Sequence, residues 1–288
     1  MNALPDIQYC REVLKRSGSS FALAFYLLPR EQREAMTAFY AFCRLADDAV
    51  DEAPDIHQAR RELEPIKREL ELVFTGVPTQ PVFRELQRGV RRFGIRRDHL
   101  ELVIDGVEQD IDKPFYGTFD ELYSYCYRVA SAVGLVCVTV LGAKGKDVEL
   151  YAELCGLAVQ LTNIIRDVGE DAGRGRIYLP REDLESFGLD ESDILEHRDL
   201  ATLKKLLYFE CRRAREYYLL AAAALPVRFK ERLYFAEALR ETYSLLLERL
   251  AVSNLDVFSA PMKLSKAVKL AVAFKHKFGS FASTGAGA

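Results

Sequence analysis

Apolar residues recur every three or four positions through most of this sequence, a spacing typical of helices that bury one face. Alternating runs bounded by hairpin turns, which would indicate strands, are nearly absent, so an all-α fold is predicted. Pro29 suits a first helical turn, and the apolar spacing continues from there to Val50. Thr118 and Glu121 have the form of a capping box at another helix start. Further buried helices are predicted over residues 129–141, 156–165, 203–225 and 229–250, with Pro226 between the last two.

The composition is that of an ordinary soluble globular protein. With 49% hydrophobic and 29% charged residues, the 288-residue chain can bury a sizeable core, and its net charge of −3 gives no sign of nucleic acid binding. The six cysteines are scattered without a CxxC pair, which is typical of reduced thiols in a cytoplasmic protein. No signal peptide is evident, and the apolar run over 129–141 is shorter than the roughly 18–20 residues of a membrane span. Any membrane contact is therefore expected to be peripheral.

Two short acidic segments stand out inside apolar helical stretches. The first places Asp47 and Asp51 four residues apart, and the second places Asn163, Asp167 and Asp171 at the same spacing. Residues four apart lie on one face of a helix, one turn above the other. Each segment therefore predicts a row of oxygen-bearing side chains along one helix face.

Such rows need a partner. Like charges four residues apart destabilise a helix by about a few tenths of a kcal/mol, and carboxylates among apolar neighbours need compensation. Magnesium prefers oxygen ligands and commonly joins one or two carboxylates to substrate phosphates. Two facing rows could therefore bind a diphosphate through magnesium. Arginines near the rows and on the glycine-rich loop that follows could hold phosphate oxygens by bidentate contacts; they are Arg44, Arg166, Arg174 and Arg176.

The alternative for either acidic segment taken alone is a solvated helix face, which is the usual role of an acidic run. Two rows, both inside apolar helices and both adjacent to arginine, favour the diphosphate site. The serine-rich stretch 17–20 suits a phosphate contact or a helix cap equally well. The histidines share no metal-ligand spacing and are expected at surface or capping positions; they are His57, His99, His197 and His276.

Several ordered motifs resemble the squalene/phytoene synthase family. Besides the two acidic segments, the resemblance rests on residues 20–21, 27–29, 40–44, 125–134 and 175–180. It extends over roughly residues 17 to 250. We therefore expect residues 1–288 to form a single domain of this type, with a basic amphipathic segment and flexible tail over 262–288.

The resemblance implies a class I isoprenoid-synthase fold, which is a helical bundle around a central apolar cavity with both carboxylate rows at its mouth. It also implies condensation of two allylic diphosphates with two or three magnesium ions. The implied metal ligands are Asp47, Asp51, Asn163, Asp167 and Asp171. The four aspartates among them are implied to be catalytic, together with Tyr40 and Arg44. The implied substrate-binding residues are Ser20, Phe21, Arg44, Tyr125, Gln160, Asn163, Arg166, Arg176 and Tyr243.

The aromatic side chains in the matching motifs are candidates for two different roles. Aromatic faces stabilise cations, so Phe21, Tyr40 and Tyr125 are candidates to face an allylic cation. Ordinary core positions are the alternative for each of them.

Within the family, the segments 19–21, 43–52, 105–110 and 129–136 look most like bacterial presqualene diphosphate synthases of hopanoid pathways. We therefore expect two farnesyl diphosphates to give presqualene diphosphate without NADPH, for use by downstream isoprenoid enzymes. Phytoene synthesis from two geranylgeranyl diphosphates is the main alternative, and squalene and dehydrosqualene are other family products. A terpene cyclase and a non-catalytic assembly factor are the alternatives from other classes. The presence of all five implied metal ligands disfavours the assembly factor.

The C-terminal segment from Lys263 to Phe278 alternates basic and apolar residues at roughly helical spacing. This pattern suits a helix lying on an anionic membrane surface. It would place a cytoplasmic protein in peripheral contact with the inner membrane face. The alternative is an ordinary terminal helix packed on the core with its lysines outside.

Overall fold

The structure is a computed structural model that describes residues 5–17, 24–112, 115–259 and 262–279. In chain order the α-helices are α1 (Asp6–Arg16), α2 (Arg30–Asp51), α3 (Ile56–Thr75), α4 (Pro81–Phe93), α5 (Arg97–Asp112), α6 (Phe119–Cys126), α7 (Ala132–Val140), α8 (Lys146–Gly173), α9 (Arg181–Ser186), α10 (Glu191–Leu195), α11 (Leu200–Ala224), α12 (Tyr234–Val252) and α13 (Lys266–Phe278). A π-helical turn over Tyr127–Ser131 joins α6 to α7. The described ranges contain no strand, only a single bridge between Phe115 and Ile177. The all-α prediction is confirmed.

Local chemistry explains where several helices begin and end. Helix α2 follows Pro29, whose fixed φ prepares a helical turn. The Thr118 hydroxyl accepts a hydrogen bond from the Glu121 N–H (3.3 Å) at the start of α6, so the predicted cap is present. Helix α4 ends at Gly94, which adopts a left-handed conformation (φ 73°) that glycine tolerates best.

The structure corrects the predicted starts of two helices and the predicted location of His99. The helix predicted over 129–141 starts inside the π-helical turn, and the one predicted over 229–250 starts only at Tyr234. The second delay occurs because a short 3-10 turn over Val227–Phe229 comes first. His99 was expected at the surface but is buried, since it lies four residues before Val103 on the inward face of α5.

Two large apolar clusters hold the helices together. The first is built mainly from α2, α3, α4, α5 and α7, with Phe42, Phe83 and Leu86 among its completely buried side chains. The second is built mainly from α6, α8, α11 and α12, with Leu207 and Leu247 completely buried. Each fully buried large apolar side chain contributes about 1.5–3 kcal/mol. These clusters hold the C-terminal halves of α2 and α8, which carry the acidic segments.

A glycine permits a close contact between α8 and the π-helical turn near the site. A Cβ on Gly156 of α8 would lie 2.5 Å from the Ser131 Cα in the π-helical turn. Real Cβ atoms do not approach backbone this closely, so only glycine allows α8 and the turn to meet here. The contact brings Val129 of the turn and Asn163 of α8 to the same cavity.

Two described helical stretches, Phe119–Val140 and Lys146–Gly173, are long and apolar enough to cross a membrane by length and composition. About half of each apolar window is buried inside the fold, 50% and 56% respectively. The second stretch also carries Asp167 and Asp171. Burial against neighbouring helices accounts for the hydropathy of both stretches, as expected of core helices in a bundle.

Candidate active site

Two adjoining cavities lie at the end of the bundle where α2 and α8 carry their acidic segments. The first has a volume of about 460 Å³ and is lined mainly by charged side chains. The second has a volume of about 320 Å³ and is lined mainly by aromatic and aliphatic side chains. Asp47, Val129, Gln160 and Asn163 line both. We call them the polar cavity and the apolar cavity.

The structure brings together most of the residues singled out from the sequence. The polar cavity is lined by Arg44, Asp47, Asp51, Tyr125, Gln160, Asn163, Arg166, Asp167, Asp171 and Arg176. Tyr40 and Tyr243 line the apolar cavity instead. Ser20 and Phe21 lie outside the described residues. Both carboxylate rows therefore face one space, as two rows that share a diphosphate must.

Arginines neutralise the carboxylates on both sides of the polar cavity. Asp51 accepts hydrogen bonds from Arg174 (3.0 Å) and Arg176 (2.7 Å), which tie the loop after α8 to the end of α2. On α8, the Arg166 guanidinium donates to Asp167 (2.7 Å). Charge-assisted contacts of this kind are among the stronger hydrogen bonds in proteins. The arginines predicted to hold phosphate thus have carboxylates as partners in this structure.

Two carboxyl groups of the carboxylate rows carry raised pKa values. Burial, followed by the charge of Asp51, raises the pKa of Asp47 to about 7. Burial, followed by the charges of Asp167 and Glu170, raises the pKa of Asp171 to about 7. Asp47 nevertheless keeps solvent access through the cavity, so its carboxylate is less isolated than that of Asp171. A nearby cation would stabilise the charged form of both carboxylates.

The amide of Asn163 supports the same conclusion. Its nitrogen donates weakly to Gln160 (3.3 Å), whereas its buried Oδ1 has no hydrogen-bond partner among the described residues. An unpartnered buried oxygen is costly. Asn163 belongs to the row on α8 and lines the same cavity as Asp47 and Asp51, where a divalent cation would satisfy its oxygen. The residues present therefore fit magnesium.

The carboxylates do not form a closed protein cage for a metal. Within the described ranges, no group of three or more His, Cys, Asp or Glu side chains is placed to hold an ion directly. Magnesium seldom uses such cages, because it keeps waters and binds one or two carboxylates together with substrate phosphates. The open arrangement thus suits an ion that arrives with a diphosphate.

Asp110 lies at the centre of a polar cluster in the cavity wall. No role was predicted for this residue from the sequence. Its carboxylate accepts hydrogen bonds from the hydroxyls of Tyr125 and Tyr178, both at 2.9 Å. The two rings stack with centroids 5.2 Å apart. Burial raises the pKa of Asp110 to about 6. A signal was available, since Asp110 follows buried Val107 by three residues and so shares its inward face.

Aromatic side chains dominate the apolar cavity. Phe25, Tyr40 and Phe235 form part of its wall, with Phe25 in ring contact with the other two. The Tyr40 hydroxyl donates to the Ser17 hydroxyl (2.9 Å). The Tyr243 side chain is buried and contacts Arg166, so it lies where the two cavities meet. The apolar cavity can therefore hold hydrocarbon while a charged group occupies the polar cavity.

A helical fold that joins a carboxylate- and arginine-lined cavity to an apolar one defines the isoprenoid-synthase class. The comparison of sequences is more specific: the family model for squalene/phytoene synthase matches residues 14–268. The chain belongs to the squalene/phytoene synthase family, whose members are prenyltransferase-type enzymes.

The named relatives include both phytoene synthases and a presqualene diphosphate synthase. The chain is 34% identical to a phytoene synthase of Arthrospira platensis, over 88% of this chain and 86% of that protein. It is 35% identical to a presqualene diphosphate synthase of Rhodopseudomonas palustris, over 90% of this chain and 93% of that protein. The crystal structure of a dehydrosqualene synthase in complex with ligand superposes with a TM-score of 0.84 at 29% identity, covering 97% of each chain.

Proposed function

We propose that this protein condenses two farnesyl diphosphates head to head, giving presqualene diphosphate, inorganic diphosphate and a proton. One observation carries the proposal. The polar cavity, with carboxylate rows on opposite sides, opens through Asp47, Gln160 and Asn163 into the apolar cavity. A prenyl diphosphate has the same two parts, a charged head and a hydrocarbon chain.

Two groups of residues would have different roles when such a substrate ionises. Asp47, Asp51, Asn163, Asp167 and Asp171 would hold magnesium, which supplies positive charge to the departing diphosphate. Arginine side chains would donate to its oxygens, as guanidinium groups do in diphosphate sites generally. These donors are Arg44, Arg166, Arg174 and Arg176.

The apolar cavity would protect the carbocation that remains. Its aromatic and aliphatic wall excludes water, which would otherwise capture the cation as an alcohol. The ring faces of Tyr40 and Tyr243 can stabilise positive charge. The alkene of the second substrate then attacks the cation, and loss of a proton closes the cyclopropane ring.

Farnesyl diphosphate is proposed as the substrate on two grounds. The chain spans nearly the whole length of its presqualene diphosphate synthase relative. In addition, the segments 19–21, 43–52, 105–110 and 129–136 look most like bacterial presqualene diphosphate synthases. Phytoene formation from geranylgeranyl diphosphate is the second candidate, favoured by the similar identity to a phytoene synthase.

Product analysis tests the proposal directly. The purified protein is incubated with magnesium and either farnesyl or geranylgeranyl diphosphate, first without and then with NADPH, and products are identified by mass spectrometry. A thirty-carbon cyclopropyl diphosphate from farnesyl diphosphate is expected. Phytoene from geranylgeranyl diphosphate alone would move the function to the second candidate, and squalene formed only with NADPH would refute release of the intermediate. Asp167→Asn is the inactive control, and Glu216→Gln on the surface of α11 is the matched active one.

A further inference from the structure

Helix α13 turns an apolar face to the outside. Ala267, Ala271, Phe274 and Phe278 follow one another at spacings of four, three and four, so they form one stripe along the helix. All four are exposed, and the two phenylalanines have relative exposures of 49% and 50%. We call these four residues the outer face of α13.

The opposite side of the helix is already occupied. Val272 and Ala273 are buried against Ala238 of α12, where they form a small apolar cluster. The side of the helix directly opposite α12 therefore carries the alanines and phenylalanines, with exposed lysines beside it. The outer face is apolar although its four residues are exposed and not packed in the core.

Polar contacts hold α13 in this orientation. The Ser265 hydroxyl accepts the Val268 N–H (3.3 Å) at the helix start. Near its end, Lys275 and His276 both contact Glu241 of α12, at 2.7 and 2.6 Å. The contacts with Glu241 hold the C-terminal end of the helix, so its phenylalanines cannot turn inward without breaking them.

The charged residues of the segment that contains α13 are all basic, although Glu241 of α12 pairs with one of its lysines. Residues 263–279 contain five lysines and no aspartate or glutamate, although the whole chain has a net charge of −3. Lys263 and Lys266 are exposed at the start of the helix. An apolar stripe with lysines at its margins complements an interface that is apolar inside and anionic at its surface.

We propose that the outer face of α13 inserts into the surface of an anionic phospholipid bilayer, with the flanking lysines against the lipid headgroups. The two phenylalanine rings stack with centroids 5.5 Å apart, which gives one compact apolar unit for insertion. The helix packs against α12, which carries Tyr243 in the lining of the apolar cavity. Binding to the bilayer in this orientation would bring the active site near the lipid, in which isoprenoid chains dissolve.

Vesicle flotation with the full chain tests the proposal. The vesicles contain phosphatidylcholine alone or phosphatidylcholine with phosphatidylglycerol. Wild type should float with the anionic vesicles, and higher salt should weaken this association. Phe274→Ser with Phe278→Ser should lower partitioning about tenfold or more, because two half-exposed rings no longer leave water. Leu219→Ser with Leu220→Ser on α11 is the matched control, since those side chains are 70% and 52% exposed.

The controls separate docking from damage to the fold. The phenylalanine variant should keep wild-type circular dichroism and wild-type diphosphate release in detergent solution, because neither ring lines a cavity. Equal flotation of the two double variants would overturn the proposal, as would equal binding to neutral and anionic vesicles. A wild-type dimer that the phenylalanine variant converts to monomer, without vesicle binding by either, would assign the outer face to a second copy of the chain instead.

Discussion

Replacing Asp171 by asparagine should make the metal-free protein more stable and the enzyme inactive. Burial and the neighbouring Asp167 and Glu170 raise the pKa of Asp171 from 3.8 to about 7, even though Arg174 and Arg176 act in the opposite direction. Above that pKa the folded protein carries a charge that its surroundings disfavour. Asparagine keeps nearly the same shape without the charge.

The size of the effect follows from the shift in pKa. A group whose pKa is raised on folding binds a proton more tightly in the folded state, so stability falls as pH rises from about 4 to about 7. Three pKa units correspond to about 4 kcal/mol above pH 7 as an upper limit. Partial contact with solvent reduces this to about 1–2 kcal/mol. The gain from Asp171→Asn should be largest near pH 8 and small near pH 5.

Urea unfolding in EDTA at the two pH values measures this gain, with Glu216→Gln as a surface control expected to change stability by less than about 0.5 kcal/mol. Magnesium with inorganic diphosphate should then stabilise wild type, by about 2.7 kcal/mol at one hundred times the dissociation constant, and stabilise the variant much less. A variant less stable than wild type at pH 8 would refute the electrostatic reasoning. Equal stabilisation of both proteins by magnesium diphosphate would refute the role of Asp171 as a ligand.

Three further substitutions test other parts of the site. Asp51→Asn should lower kcat/KM for diphosphate release about a hundred- to a thousandfold, because it removes a charged ligand and the shared contact for two arginines; a loss below tenfold would contradict this. Tyr178→Phe should cost about 1–3 kcal/mol in urea unfolding at pH 8, because the Asp110 carboxylate loses one of two hydroxyl donors; unchanged stability would show that water replaces it. Gly156→Ala should destabilise the fold by about 1–3 kcal/mol, since its Cβ would lie 2.5 Å from backbone, whereas Gly173→Ala, where a Cβ meets nothing within 4 Å, should be close to neutral. Equal melting temperatures for the two alanine variants would refute the packing argument.

Features that depend on local spacing could be predicted from the sequence. The helix α2 and the cap at Thr118 follow from neighbouring residues, and both are present. The two carboxylate rows were likewise predictable, because a spacing of four fixes one helix face. That the rows face the same cavity required the family resemblance, since nothing local relates residue 47 to residue 171.

Features that depend on distant partners could not be predicted. The contacts of Arg174 and Arg176 with Asp51 join residues more than a hundred positions apart, so their sequence neighbourhood contains no trace of them. The cluster around Asp110 needs Tyr178 from the loop after α8. For α13, spacing revealed an amphipathic helix but not which side would face α12; the contacts of Val272 and Ala273 with Ala238 establish that side.

The charge balance of the site suggests how metal and diphosphate depend on each other. Without ligands, arginines neutralise the carboxylates, as the pairs of Asp51 and Asp167 show. Magnesium alone would have to displace a guanidinium and leave it unpaired, and diphosphate alone would do the same to a carboxylate. With both bound, the arginines would contact phosphate oxygens and the carboxylates would hold the metal, so every charge would keep a partner. The two ligands should therefore strengthen each other's binding, which restricts ionisation to a cavity that already contains both.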